Sequence, residues 1–181
     1  MRSVHRSILD AVLHMDPSPT TLLDVGCGDG WFTLILSSNL PGTQMIAFDR
    51  TRHSSLRESV DIRFVAGSVD ALPFSDRSFD MVVASLSLHH WEDKESGIAE
   101  LSRVLQTGGS LILGDPLRQG WLGNRVLGQL AQRIDGGIFS IPDELTASLE
   151  SNGFESVRIS TVPHSFRSLF LITARKRYDT G

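Results

Sequence analysis

Cysteine is nearly absent from this sequence: Cys27 is the single cysteine among 181 residues, so no disulfide can form within the chain. The sequence also lacks an uninterrupted apolar run of about 18 residues, the length that a membrane-spanning helix requires. Its first residues carry Arg2, Arg6 and Asp10, which break the apolar segment that a signal peptide needs. We therefore expect no membrane span and a location in the cytoplasm.

Basic residues are not in excess either. The 17 Lys and Arg residues are outnumbered by 21 Asp and Glu residues, which gives a formal net charge of −4. A polyanion-binding protein usually presents a basic face, so no nucleic-acid partner is expected. The six histidines show no spacing typical of a metal site. The length and the ordinary hydrophobic content predict one domain over residues 1–181, as a monomer or a homodimer.

Strand-like and helix-like segments alternate along the chain. Strands are predicted at 21–25, 44–48, 62–66, 79–84, 110–114, 157–162 and 169–174, and helices at 3–14, 31–40, 92–105, 117–133 and 143–151. Such alternation predicts an α/β domain built on a mostly parallel sheet. The link between the last two strands is too short for a parallel crossover. One antiparallel strand is therefore expected near the C-terminal edge.

Three glycines, Gly26, Gly28 and Gly30, stand between the first strand and the next helix. Glycine permits positive φ and lets the backbone approach a ligand closely, and ligands of α/β sheets bind beyond the carboxyl ends of the strands. Asp49 ends the second strand, where a carboxylate can accept hydrogen bonds from two ribose hydroxyls. A nicotinamide dinucleotide fits poorly, because its fingerprint requires a small residue where Trp31 stands.

Residues 22–30, Leu-Leu-Asp-Val-Gly-Cys-Gly-Asp-Gly, resemble the first motif of class I S-adenosylmethionine-dependent methyltransferases. Further segments of the family pattern follow in order: Asp49 and residues 72–74, 78–83, 88–91 and 100–109. Together they are similar to the small-molecule branch that includes the ubiquinone and menaquinone biosynthesis methyltransferases. The resemblance implies a Rossmann-like seven-stranded sheet with helices on both faces. It also implies S-adenosylmethionine as cofactor and direct in-line methyl transfer to an O, N or C atom of a small molecule.

The resemblance also assigns roles to residues. It places the methionine part of the cofactor at the turn formed by Asp24, Gly26, Cys27 and Gly28, and the amino group of the cofactor near the backbone of Ser85. It places the ribose at Asp49 and the adenine at Ser68 and Val69. Two departures from the family pattern are visible. A serine, Ser68, stands where an acidic residue is usual, and the segment between Asp49 and Ser68 is short, so the helix there should be stunted.

His90, and second His89, are the candidate general bases for an acceptor that must lose a proton; the alternative is that both only pack the loop. The glycine-interrupted residues 116–141 are predicted to form a substrate lid, and residues 1–19 an N-terminal helix. The alternative to an enzyme is a non-catalytic S-adenosylmethionine-binding or partner subunit with the same fold, whose site a second subunit would complete.

Overall fold

The helices and strands follow the alternating order expected from the sequence. The computed structural model describes residues 3–16, 18–116, 142–162 and 169–178. The helices are α1 (Ser3–Met15), α2 (Trp31–Asn39), α3 (Lys94–Val104) and α4 (Pro142–Ser151), with a 3-10 turn at Leu88–His90. The strands are β1 (Thr21–Val25), β2 (Gln44–Asp49), β3 (Ile62–Ala66), β4 (Phe79–Ser85), β5 (Leu105–Pro116), β6 (Phe154–Val162) and β7 (Leu169–Lys176).

The seven strands form one sheet in the order β3-β2-β1-β4-β5-β7-β6. Strands β1 to β5 pair in parallel, whereas β7 runs antiparallel to both β5 and β6. The predicted Rossmann-like α/β fold, with one antiparallel strand near the C-terminal edge, is confirmed. The chain progresses outward from β1 to β3 and then returns to place β4 on the other side of β1. A cleft therefore opens beyond the carboxyl ends of β1 and β4, as expected where strand order reverses.

Helices cover both faces of the sheet. Successive side chains of β1 point to opposite faces, so its apolar residues are buried on both. Leu22 belongs to the apolar cluster beneath α1 and α2, whereas Leu23 belongs to the cluster beneath α3 and α4. Both leucines are fully buried, which stabilises the fold by roughly 1.5–3 kcal/mol for each side chain. Helix α1 packs closely on β5, since a Cβ at Gly114 would overlap the side chain of Ile8.

The boundary between α3 and β5 differs from the prediction. Asp93 caps the helix by accepting hydrogen bonds from the backbone N–H and the hydroxyl of Ser96, at 3.0 and 2.7 Å, so α3 begins at Lys94. Glycines commonly terminate helices, but α3 already ends at Val104, before the glycines at 108 and 109. They lie within β5, where the register with β4 shifts and Gly108 adopts a φ of +76°.

Between β2 and β3 the structure contains no helix, so the helix expected to be stunted is missing altogether. The predicted helix at 117–133 and nearly all of the predicted lid, 116–141, lie outside the described residues. The N-terminal helix is present as α1. Within the described ranges, no helix has both the length and the apolar character needed to cross a membrane.

Candidate functional site

The chain bends sharply where β1 ends. The backbone N–H groups of Gly26 and Cys27 both donate to the carbonyl of Phe48, at 2.7 and 3.0 Å. Gly26 and Gly28 have φ of +75° and +55°, in the left-handed region that favours glycine. A Cβ on Gly26 would overlap Ser87, whereas a Cβ on Gly28 would meet no atom of the described residues within 4 Å. Gly26 is therefore required by the protein's own packing, and Gly28 faces open space.

The carboxylate of Asp49 lies beside this bend. Its Oδ2 accepts a hydrogen bond from the backbone N–H of Gly28 at 2.8 Å, and its Oδ1 accepts one from the N–H of Arg50 at 2.7 Å. The carbonyl of Asp49 accepts from the N–H of Gly67 at 3.0 Å, which holds the loop after β3 against the end of β2. The carboxylate and the glycine bend thus form one hydrogen-bonded unit.

A first cavity of about 400 Å³ opens on the β2 side of the bend. Its lining includes Val25, Phe48, Asp49, Gly67, Ser68, Val69, Asp70, His90 and Trp91. A Cβ on Gly67 would lie 2.9 Å from the ring of Phe48, so the glycine allows the loop to lie flat on that ring. The wall combines apolar and aromatic side chains with carboxylates, one arginine, one histidine and two serines, which suits a flat heterocycle with a polar edge.

A second cavity of about 670 Å³ lies on the α1 side of the same bend. Its lining includes His5, Asp24, Cys27, Asp29, Trp31, Phe32 and Ser85. The two cavities share Gly26, Gly28 and Leu86, so one elongated ligand crossing the bend would occupy both. The hydroxyl oxygen of Ser85 is buried and has no hydrogen-bond partner within the part of the chain that the structure describes.

Two titratable groups in the second cavity are strongly perturbed. The pKa of Asp24 is raised to about 6, chiefly by burial. A 2.5 Å hydrogen bond from the hydroxyl of Thr33 opposes the increase, and the nearby carboxylate of Asp49 adds to it. Burial, with Asp24 next in importance, also raises the pKa of the Cys27 thiol. The thiol therefore stays protonated at neutral pH, which favours Cys27 as a small residue of the turn over a reactive nucleophile.

The two histidines after β4 have different surroundings. His90 lines the first cavity, and partial burial, followed by the neighbouring His89, lowers its pKa. An imidazole with a lowered pKa is mostly neutral at pH 7 and can accept a proton. His89 instead bonds Asp115: its Nδ1 lies 2.6 Å from Oδ1, and its backbone N–H donates to Oδ2 at 2.9 Å. The two imidazole rings contact each other, with centroids 3.9 Å apart.

Comparison with known proteins identifies the family. A family model described as a methyltransferase domain matches residues 23–113, just over half of the 181 residues. This chain belongs to the methyltransferase domain family. The resemblance seen in the sequence is therefore confirmed.

Curated relatives of this methyltransferase domain cover most of its length. The malonyl-[acyl-carrier protein] O-methyltransferase of Methylococcus capsulatus is 27% identical in an alignment 171 positions long, which covers 87% of this chain and 60% of the relative. The demethylmenaquinone methyltransferase of Thermus thermophilus is 29% identical in an alignment 174 positions long, which covers 81% of this chain and 79% of the relative. This domain thus spans less than two thirds of the first relative.

Among solved structures, the fold matches the Burkholderia thailandensis 1,6-didemethyltoxoflavin-N1-methyltransferase. The TM-score is 0.77 at 20% identity, over 97% of this chain and 79% of the other. That enzyme was solved with 1,6-didemethyltoxoflavin and S-adenosylhomocysteine bound. At this level of identity the match supports the fold alone.

S-adenosylmethionine is the cofactor supported for this methyltransferase domain, and the residues at the bend fit it. The position of Gly28 offers backbone with no side chain in the way, Asp49 offers a carboxylate beside it, and Ser85 offers a buried hydroxyl with no partner among the described residues. The two cavities meet at the bend, where they share Gly26 and Gly28. Ser68 remains the departure from the family pattern, with the carboxylate of Asp70 in the same cavity wall.

The structure brings almost all of the sequence-predicted site residues together. Nine of them line one or both cavities: Asp24, Gly26, Cys27, Gly28, Asp49, Ser68, Val69, Ser85 and His90. The exception is His89, which lines neither cavity and contacts Asp115 and His90. Sequence reasoning missed His5 and Asp115. Asp115 carried a usable signal, because it stands at the carboxyl end of β5, next to the strand that leads to the histidines.

Proposed function

We propose that this chain transfers a methyl group from S-adenosylmethionine to an O, N or C atom of a small-molecule acceptor. The observation that carries the proposal is the hydrogen bond between Gly28 and Asp49, at the point where the two cavities meet. The cofactor supplies an activated methyl group on a sulfonium. The protein therefore needs to bind, align and exclude water, and it needs no covalent intermediate.

Each side of the bend has a separate part in this proposal. Asp49 holds the ribose hydroxyls, while Ser68 and Val69 flank the adenine in the first cavity. Asp24 and the backbone near Ser85 receive the amino-acid end in the second. Alignment of this kind can lower the barrier by about 7–11 kcal/mol. His90, which lines the first cavity, is the proposed proton acceptor where the methyl acceptor must lose a proton.

The first experiment tests whether the protein binds the cofactor and whether Asp49 contributes to that binding. Calorimetry with S-adenosylhomocysteine should give saturable binding to the wild-type protein, and Asp49→Asn should weaken it at least tenfold, because the amide loses the charge that strengthens hydrogen bonds from ribose hydroxyls. The matched control is Asp10→Asn, on the exposed side of α1 and outside both cavities. Equal affinity in the two variants would reject the role of Asp49. Absence of binding to the wild type would reject the proposed function.

Catalysis needs its own test, because a non-catalytic binding or partner subunit with the same fold remains the second candidate. Two features favour that candidate. A serine, Ser68, stands where the family usually has an acidic residue, and no helix lies between β2 and β3. Incubation with tritiated S-adenosylmethionine and a small-molecule extract should transfer label to an extractable product. Cofactor binding without any transfer would favour the subunit. A cytoplasmic location and a monomeric or homodimeric state stay predictions, and gel filtration tests the second.

A further inference from the structure

An exposed ion pair joins the two walls of the first cavity. Nη2 of Arg50 lies 2.8 Å from Oε1 of Glu92, and both residues line that cavity. Arg50 directly follows β2, whereas Glu92 belongs to the segment after β4, and β1 lies between those two strands in the sheet. The pair therefore crosses the cleft beyond the carboxyl end of β1, at the space that the proposed function assigns to the nucleoside.

The backbone on each side of the cleft is firmly held. On the β2 side, the N–H of Arg50 donates to Oδ1 of Asp49 at 2.7 Å. On the other side, Trp91 is only 7% exposed and its N–H closes the 3-10 turn. The ring of Trp91 lies so close to Gly97 of α3 that a Cβ on this glycine would be 2.8 Å from it. The two ends of the crossing are therefore fixed by neighbouring residues of the fold.

The side chains that cross the cleft are, by contrast, largely in solvent. The side chain of Arg50 is 58% exposed and that of Glu92 is 75% exposed. An exposed ion pair contributes little free energy, so it opens and re-forms readily. Other charges keep Arg50 near the cleft when the pair is open, because the carboxylates of Asp70 and Asp49 also act on it electrostatically. Both of these carboxylates line the same cavity.

The chain between β2 and β3 adds no other cover to the first cavity. Residues 50–61 form no helix, and within 51–60 only Leu56 is buried. Leu56 belongs to the apolar cluster beneath α1 and α2, where a Cβ on Gly30 would lie 3.0 Å from its side chain. Arg50 is the one member of the segment 50–61 that lines the first cavity. Closure on this side therefore depends on the arginine and its partner.

We propose that the ion pair between Arg50 and Glu92 is a strap across the first cavity, which opens each time the nucleoside end of the cofactor enters or leaves. The inference rests on the proposed function and adds a route of cofactor exchange to it, between the end of β2 and the start of α3. The strap is closed both with and without ligand. Its removal therefore speeds entry and exit alike and leaves the dissociation constant nearly unchanged, whereas loss of a contact made only by the bound cofactor would raise the dissociation constant.

Stopped-flow binding of S-adenosylhomocysteine to the full chain, followed by tryptophan fluorescence, tests the strap. Arg50→Gln should raise both the association and the dissociation rate constant by about two- to fivefold, the range that corresponds to an exposed ion pair. The dissociation constant from calorimetry should stay within twofold of the wild-type value. The matched control is Arg52→Gln, because Arg52 lies on the same loop, pairs with Glu58 at 2.6 Å and lines neither cavity. This control should leave both rate constants unchanged.

Two further measurements show whether the two residues act as one pair. Glu92→Gln should give the same rate constants as Arg50→Gln, and the double variant should add nothing, because all three proteins lack the same interaction. Raising the salt concentration from about 0.05 M to about 1 M should speed exchange in the wild type and not in Arg50→Gln, since salt screens exposed charges. A residue with a merely structural role would not produce this salt dependence.

A shorter ligand locates the effect at the nucleoside end. 5′-Methylthioadenosine keeps the nucleoside and lacks the amino-acid tail, so Arg50→Gln should speed its exchange by the same factor. An acceleration limited to S-adenosylhomocysteine would overturn the proposal. So would equal rate constants in the wild type and Arg50→Gln, or effects of the two substitutions that multiply in the double variant. These outcomes reject the strap alone, whereas a wild-type protein that binds neither ligand would reject the proposed function as well.

Discussion

Replacing Gly28 with alanine separates backbone strain from blockage of the ligand site. Gly28 has a φ of +55°, where an L-residue is less stable by about 1–2 kcal/mol. A new Cβ would contact no atom in the part of the chain that the structure describes, so no packing cost is added there. For a chain of this size the melting temperature should fall by about 2–8 °C. The Cβ would, however, point into space shared by the two cavities.

Gly42→Ala is the matched control, because Gly42 has a φ of +84° and lines neither cavity, and a Cβ added there would also meet no atom within 4 Å. Thermal unfolding should give similar losses for the two variants. Calorimetry with S-adenosylhomocysteine should show wild-type affinity for Gly42→Ala and at least a tenfold loss, about 1.4 kcal/mol, for Gly28→Ala. If both variants bind within twofold of each other, the ligand does not approach the bend.

Two further predictions concern stability. Because the folded-state pKa of Asp24 is raised to about 6, the stability of the wild type relative to Asp24→Asn should be fully present below pH 4 and decline as the pH rises through 6, by up to about 3 kcal/mol. Thermal unfolding between pH 4 and 8 checks this, and parallel curves would refute it. Arg103→Ala should lower the free energy of unfolding by about 1–3 kcal/mol. The reason is that the guanidinium of Arg103 donates to the carbonyl of Leu72 at 2.9 Å and to carboxylates on either side. Arg52→Ala, which breaks an exposed ion pair, should lower the free energy of unfolding by less than about 1 kcal/mol. Denaturant titration measures both values, and equal losses for the two variants would contradict an explanation based on the burial of Arg103.

The glycine bend was predictable because local chemistry determines it. A tight turn between a strand and a helix requires positive φ, which predicts glycine at positions 26 and 28. The location of Asp49 beside the bend was predictable because Asp49 ends the strand that is adjacent in the sheet. The antiparallel direction of β7 was predictable because the link between the last two strands is too short for a parallel crossover. In these cases the residues that determine the structure are close in sequence or are related by simple strand alternation.

The features that sequence reasoning missed depend on contacts between distant segments. Gly108 and Gly109 read as helix terminators, but pairing of β5 with β4 draws them into the sheet. His5 reaches the second cavity only because α1 packs beside the ends of the central strands. The bond between His89 and Asp115 joins residues 26 positions apart, and no spacing rule predicts its geometry.

The carboxylate of Asp49 is held in place from both of its oxygens by backbone N–H groups, and among the described residues each oxygen accepts that one hydrogen bond alone, which leaves it a second lone-pair direction. A sugar diol arriving at this carboxylate would add two hydrogen bonds and would displace none from the protein. Little reorganisation would then accompany capture of the nucleoside. Discrimination between the methylated and demethylated forms of the cofactor would fall to the far side of the bend, where the proposed function places the sulfur and the amino-acid tail.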